Sequence, residues 1–309
     1  MSGMRTARHI VVAAIVLGGI ALTGAPASAG PITFLTALPV AQSQAVVRGQ
    51  YLLMRASDNR TPADRELTVQ AWPVAVAVGI TPRLAVFGVV PFAAKSFEVN
   101  TPAGRRTFGT SGLGDIVVFG RFTAIAVDDV ESTFRIAPFG GVKLPTGDAD
   151  ESDDLGRLPR PLQAGTGSWD ALGGLAITFQ TKQWQMDADV GFRRTTEADE
   201  FRFGDEAFAD VSFQYRVWPR QLGAGVPAFL YAVAETNLIS QGRHEIRGLA
   251  DSDSGGTRWD VDVGLQYVTT NYIIEGIVQI PALDRPNGTG LRSDVRVTAG
   301  LRWNISLPF

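Results

Sequence analysis

The last fifteen residues of the chain alternate strictly between apolar and polar or small side chains. At every second position counted back from the end the residue is apolar, at Phe309, Leu307, Ile305, Trp303, Leu301, Ala299, Val297 and Val295. This period of two is typical of a β-strand with one apolar and one polar face. The segment is therefore predicted to be a long closing strand.

The same alternation recurs along the chain and predicts about twelve long strands. Residues 184–193 are the clearest internal example. Short turns alternate with long polar loops, and we expect two of these loops at residues 98–113 and 148–167. Long strands with short turns at one end and long loops at the other are typical of outer-membrane barrels. The chain is therefore predicted to be all-β, a transmembrane antiparallel β-barrel.

The amino terminus has the parts of a secretory signal peptide. Arg5 and Arg8 precede an apolar run at residues 10–22, and Ala27 to Ala29 form a small-residue cleavage site. The apolar run is too short for a helical span, which leaves a closed barrel as the way to satisfy the backbone in lipid. The predicted organisation is a signal peptide at residues 1–29, a periplasmic segment or plug at 30–44 and the outer-membrane barrel at 45–309.

Composition removes several classes of function. The chain has 28 Lys and Arg, 31 Asp and Glu and no Cys. Loss of Arg5 and Arg8 with the signal peptide leaves 26 basic against 31 acidic residues, a formal charge of −5. A nucleic-acid surface is therefore not expected, and neither is a disulfide framework or a thiolate metal site. We predict no cofactor.

Many charged side chains fall on the polar face of the predicted strands and should point into the barrel. Charges buried without partners are costly, whereas a hydrated lumen lets them pair or stay solvated. The pattern thus predicts a wet inner face with a charged constriction. The candidates are Arg48, Asp115, Arg121, Lys143, Asp170, Asp187, Asp189, Arg193, Asp210, Arg216, Arg258, Asp260, Asp262, Arg296 and Arg302.

The closing strand carries Trp303 and ends on Phe309, and in this it resembles the assembly signal of bacterial outer-membrane barrels. We therefore expect the barrel-assembly machinery as a partner. In such barrels the short turns face the periplasm and the long loops face outside. Both termini are accordingly predicted to be periplasmic, and the loops to meet outer-membrane lipid and lipopolysaccharide.

Three glycine-rich motifs lie around the longest predicted loop. They are Gly112-Leu113-Gly114-Asp115-Ile116, Gly141-Val142-Lys143-Leu144-Pro145-Thr146-Gly147 and Gly165-Thr166-Gly167-Ser168-Trp169-Asp170. In this order and spacing they resemble the outer-membrane transporter family named after the meta-pathway of phenol degradation. The resemblance implies a barrel of the twelve-stranded type, grouped with transporters of aromatic or otherwise hydrophobic compounds.

Lys143 has the parity of the inner face, as do Asp115 and Asp170 on the flanking strands. These three side chains are predicted to form an ion-pair network near the outer rim. One interpretation is that the network holds the longest loop on the barrel. The other is a charged constriction that selects solutes.

Two loops carry residue types that metal sites and enzymes also use. The five carboxylates of residues 148–154 lack the glycine and terminal glutamate of an EF-hand, so a solvated loop, or one bridged by divalent ions to lipopolysaccharide, fits better. His244 is the one histidine after the signal peptide, and its neighbours Ser240 and Ser252 lie in the same predicted loop. A catalytic serine–histidine pair needs a fixed contact. We predict no enzymatic activity.

Two functions fit this pattern. The first is a channel or transporter for small hydrophobic or aromatic molecules. About twelve strands should leave a narrow lumen, with residues 30–43 as a candidate internal plug. The alternative is a non-conducting surface barrel whose long loops bind lipopolysaccharide or an external partner.

Overall fold

The structure, a computed structural model, describes residues 29–58, 61–154, 156–221 and 227–308. The predicted signal peptide, apart from Ala29, lies outside these ranges, and so does Phe309 of the predicted assembly signal. Within the described ranges no helix is long and apolar enough to cross a membrane. Helical structure in the same ranges is a 3-10 turn at Arg160–Leu162.

Twelve antiparallel passages of the chain form one closed barrel. The fourth passage, β4, is broken into Gly104–Leu113, Val117–Phe122 and Ile125–Asp128. This architecture confirms the predicted all-β barrel. The other strands are β1 (Gln44–Asp58), β2 (Arg65–Gly79), β3 (Leu84–Thr101), β5 (Ser132–Lys143), β6 (Asp170–Thr181), β7 (Trp184–Arg194), β8 (Glu206–Trp218), β9 (Ala228–Gln241), β10 (Gly256–Thr269), β11 (Tyr272–Pro286) and β12 (Arg292–Ser306).

The barrel closes through the strand whose alternation is clearest in the sequence. β12 pairs with β1, beginning with Gln44 opposite Ser306. Trp303 points outward, and its ring centroid lies 6.3 Å from that of Tyr272 on β11. Closure removes the sheet edges, whose unpaired backbone groups would be costly in lipid.

The outer face of the barrel is apolar, and opposite it lie buried charges. On β10, Val261, Val263 and Leu265 are exposed, whereas Asp260 and Asp262, which alternate with Val261 and Val263, are buried. An apolar band outside and polar side chains inside are the pattern of a strand between lipid and a lumen. The period of two along each strand therefore separates two environments.

One predicted loop is instead part of the sheet, so that prediction is wrong. The polar segment 98–113 continues β3 to Thr101 and returns as the first piece of β4. Gly104, at φ +115°, provides the turn. Phe97 and Phe108 face each other across the hairpin with ring centroids 6.3 Å apart. Cross-strand pairs of this kind stabilise the hairpin, so the segment forms strands without a continuous apolar face.

The inner face is not wet throughout, contrary to the prediction. From β2 to β5 most of its buried side chains are apolar, although Arg121 on β4 and Lys143 on β5 are exceptions, and the rings of Phe87 and Phe119 stack with centroids 4.6 Å apart. Phe139 meets Phe119 edge-on at 6.3 Å. These buried rings pack with Ala77 and Ala85. In these strands both faces are apolar, so alternation alone does not distinguish lumen from lipid.

Val263 lies on the outer face near the middle of β10. We expect Val263→Arg to lower the free energy of unfolding in lipid vesicles by about 2–4 kcal/mol, because it places a charge among acyl chains. Denaturant titration followed by tryptophan fluorescence measures this change. Val130→Arg, in the exposed turn before β5, is the control and should shift stability by less than about 0.5 kcal/mol. Equal losses at both positions would contradict a lipid-facing β10.

Candidate functional site: the lumen and its amino-terminal segment

The first described residues cross the lumen instead of joining the wall. Ala29 packs against Ile273, beside the short turn between β10 and β11. At the other end of the segment, the backbone N–H of Ser43 donates to the carbonyl of Gly79 at 3.3 Å, beside the turn between β2 and β3. Residues 29–43, here called the lumen segment, therefore enter and leave at the short-turn end of the barrel.

Backbone N–H groups of the lumen segment donate to carboxylates of the wall. The N–H groups of Ile32 and Thr33 donate to the two oxygens of Glu235 at 2.7 and 3.1 Å. The Thr33 hydroxyl donates to the same carboxylate at 2.5 Å. Farther along, the N–H of Leu35 reaches Asp189 Oδ2 at 3.5 Å. Acidic side chains thus replace the carbonyls of a neighbouring strand.

Backbone carbonyls of the same segment accept hydrogen bonds from arginines. Arg121 donates to the carbonyls of Thr36 and Leu38, and Arg302 donates to that of Pro31. Because a guanidinium has five N–H donors in a fixed fork, one side chain can hold two carbonyls. Arginines therefore fix the acceptor side of the segment as carboxylates fix its donor side.

Glu275 connects Arg302 to another arginine of the inner face, Arg48. Its carboxylate lies 2.6 Å from Arg48 Nη2 and 2.8 Å from Arg302 Nη2. Arg48 also donates to the carbonyl of Ile32. The negative charge of a buried carboxylate between two cations is well compensated. This triad therefore holds the first residues of the lumen segment in place.

A cavity of about 670 Å³ remains beside the lumen segment. Its volume is in the range of small-molecule sites. The two sides of the cavity differ in chemistry. The aromatic side includes Phe87, Phe119, Phe139 and Phe208, and the polar side includes Asp189, Asp210, Asn237, Gln279 and Arg296.

Two inward-facing glycines give the aromatic side its shape. Gly174 is directly opposite Phe139, and Gly191 is directly opposite Phe208. A β-carbon at either glycine would collide with the facing ring. Each ring therefore lies over the backbone of the next strand instead of standing into the lumen. The two glycines keep the cavity open.

All fifteen predicted lumen residues lie on the inner side of the barrel. They separate by what they contact. The lumen segment is held by Arg48, Arg121 and Arg302, and the cavity is lined by Asp189, Arg193, Asp210 and Arg296. Four contacts involve other side chains or backbone of the wall: Arg258 pairs with Asp260 at 2.9 Å, Asp187 accepts from Thr178 and Gln185, Asp262 lies 3.4 Å from Gln279 Nε2, and Arg216 donates to the carbonyl of Lys182. Lys143 forms a separate group with Asp115 and Asp170.

Lys143 lies between two carboxylates at the long-loop end of β5. Its Nζ is 3.1 Å from Asp115 Oδ2 and 2.9 Å from Asp170 Oδ2, and it also contacts the Thr166 hydroxyl. Asp115 in turn accepts from the backbone N–H of Gly147 at 3.0 Å. Among the described residues that line the cavity, none belongs to this ion-pair network. Its contacts therefore tie the longest loop to the wall.

The three glycine motifs meet at this same point. A β-carbon at Gly147 would lie 2.6 Å from the backbone of Gly114 and 2.7 Å from that of Gly165. A β-carbon at Gly165 would likewise lie within 2.6 Å of the backbone of Gly147, and real β-carbons essentially never approach other atoms so closely, so Gly147 and Gly165 both need a residue without a side chain. The motifs thus encode a close crossing of three backbone segments.

The long loops form a cover at the opposite end from the lumen segment's entry. Arg157 and Arg160 of the longest loop both contact Asp199 of the loop between β7 and β8, Arg157 at 3.0 Å. Lys95 of β3 donates to the carbonyl of Gln163 at 2.6 Å. These contacts hold the longest loop over this end of the barrel.

The acidic residues of the longest loop make local contacts. Asp148 accepts from the backbone N–H of Leu113 at 3.2 Å, and Asp150 pairs with Arg157. Within the residues that the structure covers, no group of three metal-ligating side chains could hold an ion.

His244 joins the loop between β9 and β10 to the loop between β7 and β8. Its Nδ1 accepts from the backbone N–H of Gly204 at 3.0 Å, and its ring packs against Phe201 and Phe203 at 5.6 and 5.1 Å. Burial lowers the pKa of His244, partly offset by the charge of Asp251. The neutral imidazole is therefore the form that fits this contact.

Sequence reasoning missed Glu235 and the aromatic side of the cavity. Glu235 is the main acceptor for the lumen segment, yet β9 alternates poorly and gives no clear parity. A lone carboxylate after the apolar run of residues 228–234 is the signal that points to it. The phenylalanines lie on strands that are apolar on both faces, and only the strand pairing reveals which of them meet.

The fold and its surfaces define the class of protein: a bacterial outer-membrane β-barrel. A family model described as "Putative MetA-pathway of phenol degradation" matches residues 57–275. The chain belongs to this family, which confirms the resemblance seen in its three glycine motifs. The matched range includes those motifs and most of the barrel.

Solved structures with a similar fold are outer-membrane barrels. An outer membrane channel from Pseudomonas putida F1 has a TM-score of 0.66 at 18% identity, covering 90% of this chain and 100% of that one. The β-domain of the Bordetella autotransporter BrkA has a TM-score of 0.46 at 12% identity, covering 85% of this chain and 100% of that one. The translocator domain of NalP from Neisseria meningitidis has a TM-score of 0.44 at 9% identity, covering 86% of this chain and 90% of that one. Among curated proteins, none matches the chain.

Lys143→Met removes the cation between Asp115 and Asp170. We expect the free energy of unfolding to fall by about 3–5 kcal/mol, because two buried carboxylates lose their partner. Adding Asp115→Asn and Asp170→Asn should recover most of this loss in denaturant titrations. Lys182→Met, which removes an exposed pair with Glu131, is the matched control and should cost less than about 1 kcal/mol. A loss at Lys143 no larger than at Lys182 would refute the anchoring role.

The contact of His244 with Gly204 should weaken in acid. Because the pKa of His244 is lowered in the fold, the contact is fully present above the free histidine value of about 6.5 and is lost as pH falls through the folded pKa. The protection factor of the Gly204 amide, which corrects for the intrinsic slowing of exchange in acid, should therefore fall as the pH is lowered from 7.5 to 5. His244→Gln should show no such fall in protection; an equal pH response in this variant would assign the change to another group.

Proposed function

We propose that the protein is a passive path for small hydrophobic or aromatic molecules across the outer membrane, with the lumen segment as its constriction. The observation that carries the proposal is the cavity of about 670 Å³, which has a continuous aromatic side and is bounded by the lumen segment. Apolar rings lining an interior cavity favour apolar solutes, since such sites recognise ligands mainly by hydrophobic contact. Membership of the phenol-degradation family supports the same class of solute.

The same proposal includes the orientation of the barrel. The lumen segment enters at the short-turn end, and short turns of outer-membrane barrels face the periplasm. Both termini then lie in the periplasm, and the cover of long loops faces the exterior. A solute would pass this cover first, then reach the cavity and then the lumen segment.

The contacts of His244 also fit a transport protein without catalytic activity. Its Nδ1 accepts a backbone N–H and its ring packs between two phenylalanines. A catalytic base would need to face a nucleophile, whereas this imidazole is used to join loops. We therefore include the absence of enzymatic activity in the proposal.

Loosening the lumen segment should open the path. Arg121→Gln removes the donor to the carbonyls of Thr36 and Leu38, and deletion of residues 32–42 removes the constriction. In planar bilayers we expect single-channel conductance to rise slightly with the first variant and several-fold with the deletion, because the blocking chain is partly or fully displaced. Added phenol should reduce the wild-type current.

Arg216→Gln is the control for this experiment, because Arg216 also points inward but donates to the carbonyl of Lys182. It should leave conductance unchanged, and heat-shifted gel mobility verifies that each variant folds. A folded deletion variant with wild-type conductance would contradict the constriction. A folded barrel that stays silent in every form would favour the surface-anchor function instead.

A further inference from the structure

A pair of lumen carboxylates lacks the cation that buried acids require. Asp189 of β7 and Asp210 of β8 are direct cross-strand partners, and both are buried on the inner side. Among the ion pairs of the described residues, neither takes part, and the nearby Arg193 pairs with Glu206 at 2.8 Å. Asp189 Oδ1 is buried without a hydrogen-bond partner. Two adjacent acids in this state are unfavourable unless a positive group or a proton joins them.

The groups around the pair are neutral donors. Asp210 Oδ1 accepts from Asn237 Nδ2 at 2.8 Å, and Asn237 Oδ1 in turn accepts from Gln279 Nε2 at 2.9 Å. Asp189 Oδ2 has the backbone N–H of Leu35 at 3.5 Å, which is a weak contact. These contacts orient the carboxylates but bring no positive charge to them.

The aromatic side of the cavity begins next to this pair. Phe208 precedes Asp210 by two residues on β8, so both side chains share the inner face. Its ring lies over Gly191, which is two residues beyond Asp189 on β7. Both carboxylates and this ring line the same cavity. A ligand in that corner would meet negative charge and an aromatic face together.

We propose that this corner binds small aromatic amines, with the ammonium group at Asp189 and Asp210 and the ring along Phe208. An ammonium gains charge-assisted hydrogen bonds from carboxylates and electrostatic attraction from aromatic faces. A single ammonium group can therefore interact with both the carboxylate pair and the ring. The ammonium displaces the weak donor Leu35 from Asp189, and binding therefore competes with the lumen segment. The inference rests on the proposed function, because the solute must enter the lumen.

The test compares three solutes with the same ring and different charge: benzylammonium, benzyl alcohol and benzoate. Half-blocking concentrations are measured from the current of the refolded protein in planar bilayers, with calorimetric titration as a second readout. We expect the half-blocking concentration of benzylammonium to be at least tenfold lower than that of benzoate. Asp189→Asn and Asp210→Asn should each weaken benzylammonium tenfold or more and leave benzyl alcohol within twofold.

Asp187→Asn is the matched control. Asp187 is on the same strand and equally buried, but it accepts hydrogen bonds from Thr178 and Gln185 and does not line the cavity in the described chain. This variant should bind benzylammonium as the wild type does. Heat-shifted gel mobility verifies folding, and either carboxylate variant suffices if the other does not fold.

The outcomes separate this inference from the proposed function. If benzyl alcohol reduces the current while benzylammonium is no better than benzoate, the amine site is wrong and the transport proposal stands. If Asp187→Asn weakens benzylammonium as much as Asp189→Asn does, the site is also wrong, because general lumen charge would explain the effect. If none of the three solutes binds or reduces the current, both proposals fail.

Discussion

A chain segment inside a barrel has no neighbouring strand, yet its backbone N–H and C=O groups still need partners. In this protein the wall supplies them with charged side chains. Glu235 takes the N–H groups of Ile32 and Thr33, and Arg121 takes the carbonyls of Thr36 and Leu38. These two inner charges of opposite sign are therefore explained by the segment they hold, and the shape of the cavity beside it depends on this arrangement.

With the segment in place, the lumen has two kinds of wall. Charged and amide side chains of β7 to β12 face the first half of the segment, while the phenylalanines of β3, β4, β5 and β8 leave an apolar space beside it. The inward glycines Gly174 and Gly191 let two of these rings lie flat. A filled barrel of this size would leave no room for a solute, so the cavity results from both features together.

The sequence predicts the barrel well because alternation reports on two environments along one strand. It places Lys143 near Asp115 and Asp170 because parity and strand order suffice to bring neighbours together. It does not predict Glu235 as the main acceptor, since its partners lie about 200 residues away and no local pattern reports such a contact. The hairpin at residues 98–113 is missed because it has no continuous apolar face.

The position of the lumen segment is tested most directly by a disulfide. The hydroxyls of Thr36 and Thr178 are 3.1 Å apart, and the chain has no cysteine of its own. We predict that Thr36→Cys with Thr178→Cys forms a disulfide in the folded barrel under mild oxidation, fixes the conductance at its lowest level and regains wild-type behaviour on reduction. A folded double variant whose thiols stay free, or whose disulfide leaves the conductance unchanged, would contradict the account.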